Sequence, residues 1–187
     1  MRGLYALWKL VKVSIRTKLR LYNALVKPIL LYNCSTWGLT QQWSDKLDAT
    51  HRRHLRRLLG IFYPNHISNI KLYEVCHEEP LSDYIRKARW SLLGHILRLP
   101  PEAPAQMALD TYVTAAFPGR RGRHQTGLMT VLKAELEVAQ KELPCNRDIR
   151  RLGFNRPEQL ERLRTAAQDR SSWHDLCGYI YGREQRQ

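Results

Sequence analysis

Apolar residues return at intervals of three and four along almost the whole chain, and no stretch alternates with period two. A 3.6-residue period buries one stripe of a helix, whereas a half-buried strand needs strict alternation. The expected fold is therefore all-α. The chain has 187 residues, 43% of them hydrophobic, which suffices for a buried core and excludes a wholly disordered chain. Its 10 Gly and 9 Pro follow no period, which excludes a collagen-like chain.

The stripes and stop signals place the helices. Leu4, Leu7, Trp8 and Val11 predict a short helix over about 3–12. Ser14 suits the N-cap of a longer one, with Ile15, Leu19, Tyr22, Val26, Ile29 and Leu30 inward and Arg16, Lys18, Arg20 and Lys27 outward. Pro28 interrupts that pattern and predicts a kink or an early end. Thr40 opens a third helix that stops at Gly60, a residue suited to the left-handed position after a helix. Ser68 caps a short helix to about Val75, and Pro80 starts one that runs to about Leu97. The apolar face expected of that helix is Leu81, Tyr84, Ile85, Ala88, Leu92 and Ile96. Shorter helices are expected over 105–113 and 128–142, and Asn155 with Pro157 opens a last one to about Tyr181. Pro100, Pro101 and Pro104 are the natural boundary. The expected organisation is a helical bundle over 1–99, a Pro/Gly/Arg-rich linker and basic loop over 100–127, and a C-terminal helical segment over 128–187.

The 31 Lys and Arg outnumber the 17 Asp and Glu, a net charge of +14 that favours a polyanionic partner. Residues 1–60 carry +10, residues 61–110 carry −1 and residues 111–187 carry +5. On the third helix the charge is organised. At about 100° per residue, Leu47, His51, His54, Leu55, Leu58 and Leu59 fall on one side, which assigns both histidines to core packing. Arg52, Arg53, Arg56 and Arg57 fall on the other side, within an arc of about 140°. Guanidinium groups are planar and multidentate, so such a face suits phosphate oxygens; the plain alternative is a solvated face. Arg120, Arg121 and Arg123, among Gly119 and Gly122, form a second candidate, against the alternative of a flexible linker. Arg86, Lys87 and Arg89 form a third patch.

Catalytic and metal signals are thin. The adjacent pair Glu78-Glu79 lies beside Pro80 at a helix start, where favourable interaction with the helix dipole explains it more simply than Mg²⁺ binding. No phosphate-binding loop, nucleophile elbow or zinc-protease motif occurs. Cys34, Cys76, Cys145 and Cys177 are widely spaced, as free thiols of a reducing compartment would be, and His174 with Cys177 lacks the usual partner pairs for zinc. No catalytic residue, metal or cofactor is expected. Trp37, Trp90 and Trp173 read as core anchors. No signal peptide is evident, and apolar runs such as Ile29–Tyr32 are far short of a membrane span, so a nuclear or cytoplasmic location without membrane contact is expected.

The segment Thr17-Lys-Leu-Arg-Leu-Tyr-Asn-Ala-Leu-Val-Lys-Pro-Ile-Leu-Leu-Tyr-Asn-Cys-Ser-Thr-Trp37 resembles the region after the catalytic palm of LINE-type (non-LTR) retrotransposon reverse transcriptases. Further similarities follow in order: Leu55-Arg-Arg-Leu-Leu-Gly60, Pro80-Leu-Ser-Asp-Tyr-Ile-Arg86, Leu93-Gly-His-Ile-Leu-Arg98 and Gln168-Asp-Arg-Ser-Ser-Trp173. Asn33 and Ser35 stand where that family often has Gly and Glu. The resemblance implies the thumb and C-terminal segment of an RNA-directed DNA polymerase, without palm or endonuclease. It implies a bundle that grips an RNA–DNA or DNA duplex by its backbone and performs no chemistry alone. Two other readings stay open: a module that docks on a palm domain or another protein, and a truncated retrotransposon relic without activity.

Overall fold

The computed structural model describes residues 13–114, 126–142 and 147–180, and among them every regular element is helical. The elements are α1 (Ile15–Leu21), a π-turn (Tyr22–Val26), α2 (Lys27–Leu30), a 3₁₀ turn (Cys34–Thr36), α3 (Gln41–Leu59), α4 (Asn69–Cys76), α5 (Leu81–Leu97), α6 (Pro104–Thr114), α7 (Leu128–Glu142), α8 (Arg147–Arg150), α9 (Pro157–Gln168) and α10 (Arg170–Ile180). No helix among the described residues is long and apolar enough to cross a membrane. The helix expected over 3–12 lies outside the described residues.

Local chemistry sets the boundaries. The Ser14 hydroxyl accepts the Thr17 N–H at 3.2 Å, and the Ser68 hydroxyl accepts that of Lys71 at 3.2 Å. Pro28 bends the path as expected, by a specific device. A proline ring crowds the carbonyl one turn earlier. The preceding turn widens to a π-turn, in which the Lys27 N–H reaches the Tyr22 carbonyl, and the helix continues to Leu30. Gly60 ends α3 at φ 71°, and the Ile61 N–H donates to the Arg56 carbonyl at 2.9 Å.

The chain forms two compact units, Met1–Cys34 with Thr40–Ile85, and Ser35–Leu39 with Arg86–Gln187. The change-over at Ile85–Arg86 falls inside α5, and the prolines at 100, 101 and 104 all lie within the second unit, where Pro104 opens α6. In the first unit Tyr22, Leu55, Leu58, Leu72 and Cys76 form the core. In the second, Trp90, Leu93, Leu97, Leu132, Leu136, Phe154, Leu163 and Trp173 are among the buried residues of a larger one. Gly38 belongs to the second unit because its backbone presses against the 126–127 segment; a Cβ there would come within 2.0 Å of the Thr126 carbonyl oxygen.

Four expectations are corrected. Ile15 and Ile29, expected inward, are 47% and 80% exposed. Lys18, expected outward, is buried. The inward face of α5 is Leu81, Ile85, Arg89, Trp90, Leu93 and Leu97, while Tyr84 is exposed. It is rotated from the expected stripe because counting apolar residues alone passes over an arginine that has a buried carboxylate to meet. The helix expected from Pro157 to Tyr181 is two helices. Asp169 interrupts it in extended conformation, and its carboxylate accepts the N–H groups of Ser171 and Ser172 at 3.3 and 2.8 Å. That cap starts α10 in a new direction and carries Trp173 into the core.

Candidate nucleic-acid interface

The basic face rests on α3. His51, Leu55 and Leu58 are buried and fix the rotation of the helix. Arg53 and Arg57 then point to solvent one turn apart, about 6 Å along the axis, and neither has a hydrogen-bond or ion-pair partner among the described residues. The other two arginines are half-buried, and Arg56 is already engaged. Arg56 donates to the Ile67 carbonyl at 3.2 Å and to Asn69 Oδ1 at 2.8 Å, which fastens the loop after α3 back onto the helix. Arg52 stands close enough to the Tyr73 hydroxyl to oppose the upward push that burial gives that group. Of the four arginines, Arg53 and Arg57 are exposed and without a partner among the described residues, Arg56 is tied to the following loop, and Arg52 is half-buried near Tyr73.

Beneath it lies a buried polar network. Tyr22 Oη is 2.9 Å from His51 Nδ1 and 3.4 Å from His54 Nδ1. Burial lowers both histidines to about 4; at His54 the charges of Arg57 and Arg53 add to the effect, and at His51 Glu78 opposes it. Both rings are thus neutral near pH 7, as core packing requires. Burial, with Glu78 nearby, pushes the Tyr22 hydroxyl upward. Glu78 does not serve the start of α5. It accepts Lys27 Nζ at 2.7 Å and Asn23 Nδ2 at 2.5 Å. The start of α5 is capped instead by Asp48, whose carboxylate takes the Ser82 N–H at 3.0 Å and its hydroxyl at 2.7 Å.

The patch expected at Arg86, Lys87 and Arg89 is corrected. Arg89 is only 4% exposed, so it does not face a phosphate. Its NH1 lies 3.1 Å from Glu135 Oε1, and Arg86 Nε lies 3.7 Å from the same oxygen. Trp90 Nε1 donates to the other oxygen at 2.8 Å. Burial pushes the Glu135 carboxyl upward, and Arg89 and Trp90 pull it back. Lys87 is half-buried and engaged as well. Arg120, Arg121 and Arg123 lie outside the described residues. His174 is exposed while Cys177 is buried.

Sequence reasoning passed over the loop that follows α3. Phe62 is 59% exposed and Tyr63 is 88% exposed, directly after the last turn of the arginine helix. The available signal was the run Phe62-Tyr-Pro-Asn-His66 beyond a helix stop, inside residues 49–73, which hold four arginines and a lysine but no carboxylate. Comparison with protein-family models, with curated proteins and with solved structures finds no match.

Proposed function

We propose that this chain binds nucleic acid by its phosphate backbone, as the non-catalytic thumb and C-terminal part of a LINE-type reverse transcriptase would. The reading is supported above all by Arg53 and Arg57, exposed one turn apart and without a partner among the described residues, within residues 49–73, which contain no acid. Rigidly presented guanidiniums with no internal counter-charge grip phosphate oxygens and release condensed counterions. Such contacts position a duplex without reading its sequence.

The test is a binding series for RNA–DNA and DNA duplexes across ionic strength. Contact with about four to eight phosphates gives a slope of log K against log salt of about −3.5 to −7. Arg53→Gln with Arg57→Gln weakens binding to all sequences alike and flattens the slope by about two. A slope near zero for the unaltered chain rules the proposal out.

One observation favours the second reading, docking on a palm domain. Ile29 and Tyr32 are 80% and 81% exposed beside the half-exposed Leu25, an apolar stripe on the turns around Pro28. Stable association with a palm fragment, together with no affinity for duplex at moderate salt, would select it.

A further inference from the structure

We propose that the loop Ile61–Ser68 is a base-stacking platform, on which Phe62 and Tyr63 receive unpaired bases of a strand whose phosphates lie on Arg53 and Arg57. This rests on the phosphate-binding reading and adds what the arginines lack, a preference for single-stranded over paired nucleic acid.

The placement is the first argument. Six residues separate Arg57 from Tyr63, so their Cα atoms are at most about 20 Å apart. That bound corresponds to no more than about six stacked nucleotides at 3.4 Å each. Tyr63 and Phe62 are among the most exposed large rings of the first unit, and both follow the helix that carries the free guanidiniums.

The second argument is that the loop is held. Arg56 ties its far end at Ile67 and Asn69, the Asn65 N–H closes a turn on the Phe62 carbonyl at 2.9 Å, and the Schellman bonds at Gly60 fix its start. His66 and Tyr63 meet in a T-shaped arrangement, with ring centroids 6.1 Å apart, and Tyr63 stays 88% exposed. A ring fixed in this way stacks a base with little further loss of freedom.

Charge supplies the third argument. With no carboxylate in residues 49–73, this segment carries only positive formal charge and attracts a polyanion. Aromatic rings beside unpaired arginines are the combination that binds single strands, through stacking that every base can supply.

The full chain is titrated with fluorescein-labelled oligothymidylate and with a blunt DNA duplex, each over a range of salt. Phe62→Ala and Tyr63→Ala each weaken oligothymidylate binding about 5- to 150-fold, the equivalent of about 1–3 kcal/mol per stacked base. They change duplex affinity less than twofold and leave the salt slope unaltered, because a ring neutralises no phosphate. Tyr63→Trp restores binding and Tyr63→Leu does not. A 2-aminopurine placed in the strand is quenched by the unaltered chain and not by Tyr63→Leu. If Tyr63→Leu matches the unaltered chain, or if neither alanine variant weakens the single strand, the platform is overturned while the arginine reading stands. If the unaltered chain binds neither nucleic acid with a salt slope, both fall.

Discussion

Arginines that look alike along the chain do different work. Arg53 and Arg57 face water, Arg56 buckles a loop, and Arg89 neutralises Glu135 inside the second core. A buried ion pair is costly to break because the remaining charge has no water to return to. Arg89→Ala is therefore expected to lower stability by about 3–5 kcal/mol in urea unfolding while leaving the salt slope of nucleic-acid binding intact. Arg86→Ala, which removes a longer and more exposed contact, is expected to lower stability by less than about 1 kcal/mol. Equal losses would refute this division of labour. The histidines give a pH signature. His51 and His54 are held near 4 in the fold but titrate near 6.5 when unfolded, so the unfolded chain binds more protons between those values. Stability is complete above about pH 6.5 and drains away as pH falls towards 4, with His51 alone contributing on the order of 3 kcal/mol. The urea midpoint measured at pH 7, 5.5 and 4.5 should fall at each step; a constant midpoint would contradict the assignment.

Among the helices, what the sequence made legible was whatever rested on neighbours in the chain. Ser14, Ser68 and Gly60 act within one turn of themselves, and each cap is found where the residue type demands it. The rotation of α5 was not legible, because Arg89 turns inward only when Glu135, on another helix, is there to receive it. Nor was the demotion of Arg56, whose partners come from the loop after α3 and from the start of α4. The break at Asp169 did have a local signal, the run Asp169-Arg-Ser-Ser172, but it was masked by the continuing apolar period on either side. Two segments singled out in the sequence meet here. Gly94 leaves room for the Trp173 indole, whose Nε1 donates to the Trp90 carbonyl at 3.2 Å, and Arg98 donates to the Ala167 carbonyl at 3.1 Å near the end of α9. A Cβ on Gly94 would lie 2.2 Å from Trp173 Nε1. Although alanine is the better helix former by about 1 kcal/mol, Gly94→Ala is expected to destabilise by about 1–3 kcal/mol, since overpacking outweighs propensity. Thermal unfolding decides the sign, and a raised midpoint would mean that the indole has somewhere else to go.

Among the described residues, several acids are committed to partners within the fold. Glu78 holds Lys27, Glu135 holds Arg89, Asp110 and Glu161 hold Arg164, and Asp48 and Asp169 cap helices. The net charge of +14 is also unevenly placed, with +10 of it in residues 1–60, which include α3. Location, rather than total charge, is then what matters. Arg156→Gln with Arg162→Gln removes the same charge as Arg53→Gln with Arg57→Gln, from exposed positions in the second unit. The first pair is expected to leave the slope of log K against log salt nearly unchanged, and the second to flatten it by about two. Identical slopes for the two double variants would reduce the arginine face to bulk attraction.

The seating of Trp173 has an optical consequence. Its ring and that of Trp90 lie 6.1 Å apart and inclined by 41°, near enough and skewed enough for their excited states to mix. The pair forms a chiral chromophore that exists only while α10 is docked, so the chain carries its own unlabelled gauge of whether its final helix is in place.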